Sequence, residues 1–196
     1  MTTHKNTKQH TTIATLLLFS IGLLFSGNTF ALTYMHKIGE TYGGGKVFYV
    51  YDGGLHGLIA ALADQGTGSG TQWDNGDSKL TGTTGDGLGA GAMNTTLIAA
   101  TQMDDTPNGN FAAKLCANYS VKAADGVTYG DWYLPSKAEL ALLYKQKAVV
   151  GGLANATYWS STETSRYHAW SQNFLNGHQP NHGKHHSFRV RAVRAF

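Results

Sequence analysis

The residues best suited to chemistry lie at the end of the chain. Residues 166–196 carry five basic side chains, Arg166, Lys184, Arg189, Arg191 and Arg194, and no acid, whereas residues 32–165 carry eight basic and twelve acidic ones. The two parts have net charges of +5 and −4. Five histidines, His168, His178, His182, His185 and His186, share the basic stretch. Charge segregated in this way makes a local positive potential that attracts polyanions even when the total is near neutral. Arginine forks match sulfate, phosphate and carboxylate oxygens. Arg189 and Arg191 stand two apart, so on a strand they share a face. The candidate ligand-binding set is therefore Arg166, Lys184, His185, His186, Arg189 and Arg191. A plainer reading is an edge strand whose arginines deter pairing with another chain. A third is a transition-metal site at His178-x3-His182-x2-His185-His186, since imidazole suits zinc, copper and nickel. That spacing fits no structural zinc pattern.

Catalytic constellations are missing from the sequence pattern. Ser160 and Ser161 lack the G-x-S-x-G context of an activated nucleophile. Cys116 is the single cysteine, and Glu139 and Glu163 read as a helix cap and a strand-end polar residue. The chain is expected not to be an enzyme, with no catalytic residue and no cofactor. Asp74-Asn75-Gly76-Asp77 offers closely spaced oxygens that could hold calcium, but it lacks the twelve-residue loop with its closing Glu, so it reads as a turn.

The elements that must carry these residues can be read in order. Residues 1–31 have Lys5 and Lys8, an apolar run over 13–25 and a small-x-small end at Thr29-Phe30-Ala31, the pattern of a secretory signal peptide. The run is too short for a span of roughly 20 residues, so no transmembrane helix is expected after cleavage. The remaining domain, 32–196, is long enough for one core. With one cysteine it must be held by packing, and Cys116 reads as a small buried apolar residue. Residues 46–51 and 58–62 predict two strands joined at Asp52-Gly53-Gly54. Residues 66–92, with nine glycines and Trp73 as main anchor, predict a long surface loop. Two short helices follow at 94–101 and 111–119.

Residues 130–144, GDWYLPSKAELALLY, centre the fold. Pro135 keeps Leu134 extended, and Ser136-x-x-Glu139 reads as a capping box, so a helix starts at Lys137 with Leu140, Leu143 and Tyr144 on its inner face. Tyr158 to Ser161 reads as a buried strand with Trp159 in the core. The C-terminus reads as a hairpin turning at Asn176-Gly177, with Phe188, Val190 and Ala192 facing in and Arg189 and Arg191 facing out. Val193 and Arg194 break that phase, which predicts a bulge or the strand's end. The fold class is α+β: one domain with a mixed or antiparallel sheet, two or three flanking helices and long loops.

Several stretches resemble one family. D-W-Y-L-P-S-K-A-E-L over 131–140 is similar to the W-x-L-P-[ST]-x-x-E-L signature of the Lcl C-terminal-domain family, named after the Legionella collagen-like adhesin. G-G-K-V-F-Y-V over 44–50, H-G-L-I-A-A over 56–61, Y-W-S-S-T-E over 158–163 and R-V-R-A-V-R over 189–194 extend the resemblance. A weaker echo of sulfatase-modifying enzymes implies a C-type-lectin-like core. Those enzymes depend on active-site cysteines, which Cys116 alone cannot supply. The Lcl resemblance implies adhesion to sulfated or acidic polysaccharide and a possible homotrimer. The expected location is secreted, at the cell surface or periplasmic, which leaves no nucleic acid as partner. A collagen-like tract is absent from this sequence, unlike the adhesin that names the family. The alternative function is a structural or self-associating envelope module without a soluble ligand. Mass spectrometry of exported protein should show a chain that begins at Leu32; retention of residues 1–31 would replace the cleaved leader with an anchor.

Overall fold

The computed structural model describes residues 34–103 and 109–196, so the leader assigned to residues 1–31 lies outside the described residues. Residues from Thr33 to Phe196 form one compact unit. Its first sheet has the order β1 (Thr41–Tyr42), β2 (Gly45–Tyr51), β3 (His56–Ala61) and, at the other side, β9 (Val193–Ala195). β2 and β3 are the expected hairpin, turned by a short 3-10 segment at Asp52–Gly54. The apolar run Leu58-Ile59-Ala60-Ala61 does not alternate with polar residues because both faces of β3 are covered. Ile59 and Ala61 join a cluster with Ile98, Phe111, Cys116, Trp132 and Trp159. Leu58 and Ala60 join another with Leu140, Leu143, Val150 and Phe174. A strand buried on two sides reads as a continuous hydrophobic stretch.

The helices supply those two covers. α1 (Ala90–Met103) and α2 (Ala112–Ala117) bring Ile98 and Cys116 to one face, and α3 (Lys137–Lys145) and α4 (Lys147–Val150) bring Leu140 and Val150 to the other. The remaining strands are β4 (Val121–Lys122) with β5 (Thr128–Tyr129), and a three-stranded sheet of β6 (Thr157–Glu163), β7 (His168–Asn173) and β8 (Asn181–Gly183). All strand pairs are antiparallel. The α+β class holds, with the strands of the described residues divided among three sheets rather than gathered in one. Among the described residues no helix is long and apolar enough to cross a membrane.

The C-terminal hairpin differs from expectation. Its second strand is Asn181–Gly183, paired with β7, and not the Arg-rich stretch that follows. Residues 188–190 make single bridges to Thr71, Tyr158 and Gln65, after which Val193 and Arg194 enter the first sheet beside β3. The phase break at Val193 is thus the start of a strand in another sheet. Phe188, Val190 and Ala192 do turn inward, but Arg191 is buried as well.

The helix-start motif forms as its spacing predicts. Ser136 Oγ accepts the Glu139 N–H at 3.3 Å and Glu139 Oε2 accepts the Ser136 N–H at 2.8 Å. Glu139 does more than cap. Its other oxygen accepts the Gly89 N–H at 2.8 Å and the Tyr133 hydroxyl at 3.3 Å, which ties the end of the glycine-rich loop to α3. Burial pushes the Glu139 carboxyl up, although the Ser136 and Gly89 N–H groups pull it back. Gly91 has to be glycine, because a Cβ there would stand 2.3 Å from Glu139 Oε2 and 2.7 Å from the Tyr133 ring. Ser136→Ala should lower stability by about 1 kcal/mol, the usual cost of a lost cap. Glu139→Ala leaves two backbone donors and a tyrosine hydroxyl unpaired, so thermal unfolding should show a loss of roughly 3 kcal/mol or more. Equal losses in the two variants would mean that Glu139 acts as a cap and nothing else.

Candidate functional site

Four of the five C-terminal cations are spent inside the molecule. Lys184 is fully buried and ion-paired with the buried Glu163. Its ammonium also donates to the Lys79 carbonyl at 2.7 Å and lies 4.3 Å from the centre of the Trp73 ring. Burial pushes this ammonium below its ordinary range, and the Glu163 carboxylate beside it pulls the other way. Glu163 accepts three further bonds, from the Thr81 N–H to both oxygens and from the Gly82 N–H at 2.9 Å. It ends β6, as expected, and in addition anchors the long loop.

Arg191 is likewise fully buried. Its Nε donates to Asp64 Oδ1 at 2.8 Å, and its terminal nitrogens reach the carbonyls of Ala61 and Gly152. Arg189 donates to Asp64 Oδ2 at 2.9 Å, and the Tyr158 hydroxyl donates to the same oxygen at 3.0 Å. Burial pushes that hydroxyl up to about 12. Arg194 forks onto both oxygens of Asp131 at 2.7 and 2.8 Å. Burial alone would raise the Asp131 carboxyl, but Arg194 outweighs it and holds the group below the usual range. The cationic face expected of Arg189 and Arg191 is thus a set of internal ion pairs. Lys184 points into the core for the same reason: a cation removed from water needs a carboxylate partner.

The remaining candidates stay outside. Arg166 is exposed at the turn between β6 and β7. It lines a polar cavity of about 410 Å³ with Asp77, Ser78, Lys79 and Thr101, and no hydrogen bond or ion pair ties it to other described residues. His185 and His186 are exposed, with ring centres 4.4 Å apart, and the His186 ring stacks parallel to Phe188. His182 is their hub. Its Nδ1 lies 2.9 Å from Ser171 Oγ, its ring is 5.9 Å from His186, and partial burial holds it below its ordinary range, helped by repulsion from His186, His168 and His178. His168 and His178 are exposed and belong to this face, although the candidate set named only His185 and His186. Their membership in the acid-free stretch was the available signal.

Among the described residues no group of three or more His, Cys, Asp and Glu converges as a metal site. Asp74 Oδ1 accepts the Gly76 N–H and Asn75 Oδ1 accepts the Asp77 N–H, which makes that segment a pair of side-chain-closed turns. Cys116 is buried and its thiol is pushed up by desolvation, so it is held as an unreactive thiol.

Asp64→Ala would leave the buried Arg191 guanidinium without its carboxylate. The expected loss is roughly 3–5 kcal/mol, the cost of stranding one partner of a buried pair. Adding Arg191→Met to that variant should recover part of the loss in a denaturant titration. Identical stability of single and double variants would mean that Arg191 is not the group stranded.

No curated protein sequence matches the chain. The pattern of the Lcl C-terminal domain family matches residues 64–194, a span that contains Asp64, Asp131, Glu163 and every cation paired with them. With two-thirds of its length inside that match and the Trp-x-Leu-Pro helix start formed at Ser136, the chain belongs to the Lcl C-terminal domain family.

Proposed function

We propose that the domain is an exported, adhesin-like binding module, not an enzyme, that recognises sulfated or acidic polysaccharide at the cell surface or in the periplasm. One observation carries the reading: exposed His168, His178 and His186 act on His182, His185 lies against His186, and the exposed Arg166 has no ion pair among the described residues. Lys137 adds a further cation, its ammonium 3.4 Å from the centre of the half-buried Trp170 ring on neighbouring β7. The contact face is therefore built from Arg166, His185 and His186 with His168 and His178, while Lys184, Arg189 and Arg191 act by supporting the fold beneath it. A C-type-lectin-like core belongs to the same proposal.

A specific feature favours the alternative, a self-associating envelope module or homotrimer. α1 contains no charged residue, and Met93 and Leu97, one turn apart, are exposed, Met93 by 64%. Self-association would appear in sedimentation as a species larger than 21.0 kDa.

Heparin affinity chromatography tests the main reading. Retention should weaken steeply with salt, since exposed ionic contacts are screened beyond roughly 8 Å at physiological ionic strength. It should strengthen from about pH 7.5 to about pH 5.5, the range in which an imidazole ordinarily takes up a proton, while the lowered value of His182 delays its own share. The same depression means that the unfolded chain binds that proton more readily, so the fold without ligand loses some stability as pH falls through the ordinary histidine range. Arg166→Ala combined with His185→Ala and His186→Ala should lower the eluting salt concentration at about pH 5.5 without changing the melting temperature. Retention that ignores both salt and these substitutions would leave the self-association reading in place.

A further inference from the structure

A second cavity lies away from the histidine face, with a volume of about 600 Å³. That is the size of a small-molecule site. It opens between the β1–β2 turn and the β4–β5 hairpin, and Tyr34, Tyr42, Glu40, Lys122, Asp125 and Leu62 are among its lining residues. Two glycines also line it. Gly43 and Gly44 turn with φ of +53° and +84°, and a Cβ on Gly44 would stand 2.4 Å from Val121 Cγ1.

Two aromatic rings are held in place there. The buried His36 stacks on Tyr42 with centres 3.7 Å apart and meets Tyr34 edge-on at 4.9 Å, while Phe196 closes on His36 at 4.8 Å. Tyr34 nevertheless remains 70% exposed. An exposed ring fixed by a buried one is a ready apolar platform with a polar edge.

The rim has both signs. For Glu40, burial works upward, but the Lys37 N–H and His36 outweigh it and hold the carboxyl low. Asp125 is held low by the Val127 N–H and the Tyr129 hydroxyl. Each carboxylate oxygen has a second lone pair for a donor from outside. Lys122 is exposed beside them and offers donors only. Two acceptors and one donor around aromatic platforms repel a polyanion, and Lys122 counts against a simple cation. The rim suits a neutral molecule that both donates and accepts, with an apolar face for the rings.

We propose that this cavity is a second ligand site, for a neutral saccharide ring that lies against Tyr34 and Tyr42 with its hydroxyls on Glu40, Asp125 and Lys122. It uses none of the residues assigned to polyanion recognition, so the two sites can be occupied together.

The test is an NMR titration of the purified chain with maltotetraose, cellotetraose and N,N′,N″,N‴-tetraacetylchitotetraose. At least one should shift the resonances of Tyr34, Tyr42 and Lys122 with an affinity that added salt leaves unchanged, because no ion pair forms. Tyr34→Ala, at an exposed position, should keep the parent melting temperature and weaken binding by at least about tenfold, as loss of an aromatic platform does. Heparin retention should be the same in this variant, which separates failure of this site from failure of the polyanion face. The proposal falls if none of the three sugars moves these resonances, if Tyr34→Ala binds as well as the parent, or if tetramethylammonium shifts them while the sugars do not. The last outcome would make the cavity a cation cage.

Discussion

A charge taken out of water has to be paired, and in this domain that requirement decides what its basic tail can do. Lys184 and Arg191 are both fully buried, and each meets a carboxylate and backbone carbonyls. Such pairs offer little net stability over apolar residues of the same size, but losing one partner is expensive. Their value is positional. Glu163 holds the N–H groups of Thr81 and Gly82 while it holds Lys184, so the glycine-rich loop, the end of β6 and the segment after β8 are fixed at one point. Asp64 likewise binds Arg189, Arg191 and Tyr158 together. The −4 body of the chain and its +5 tail are each other's counterions, and most of the potential inferred from the tail alone is cancelled within the fold.

Local features were legible and long-range pairings were not. The capping box needs residues three apart, and Ser136 and Glu139 formed it as written. The β2–β3 hairpin needed only a turn between two apolar runs. The helices at 94–101 and 111–119 were found with shifted ends, Ala90–Met103 and Ala112–Ala117, because no polar cap marks their starts. Arg189 and Arg191 failed as an outward face for a physical reason. Alternation tells which residues share a side of a strand, but it does not tell whether the other side meets water. Asp64 is 127 residues from Arg191 in sequence, and nothing near either residue announces the partner. Glu163 does end its strand, but its further use was not legible, since that depends on Lys184 and on a loop about 80 residues earlier.

The candidate site was half legible for a related reason. Counting charge along the chain singled out one stretch, and Arg166, His185 and His186 within it do lie at the surface. It could not rank cations by accessibility. Arginine and lysine stay charged and must be paired when buried, whereas histidine can be neutral and needs no carboxylate. A face made mainly of imidazoles is therefore what remains after the permanent cations have found acids.

The same long-range pairing explains how a domain with one cysteine holds an irregular loop without disulfides. The staples are polar and reciprocal: Trp73 Nε1 donates to the Ser160 carbonyl at 2.8 Å, and Trp159 Nε1 donates to the Thr71 carbonyl at 3.0 Å. Both rings are fully buried, so each bond is shielded from competing water while the indole supplies a large apolar surface. These contacts join residues 87 and 88 apart, and the Lys184 to Lys79 bond joins residues 105 apart. None can form until the chain has closed a long loop, and that entropy has to be met before the contact returns anything. A truncation before Lys184 would take away its bond to the Lys79 carbonyl and leave Glu163 without its cation, while both indole bonds would keep their partners.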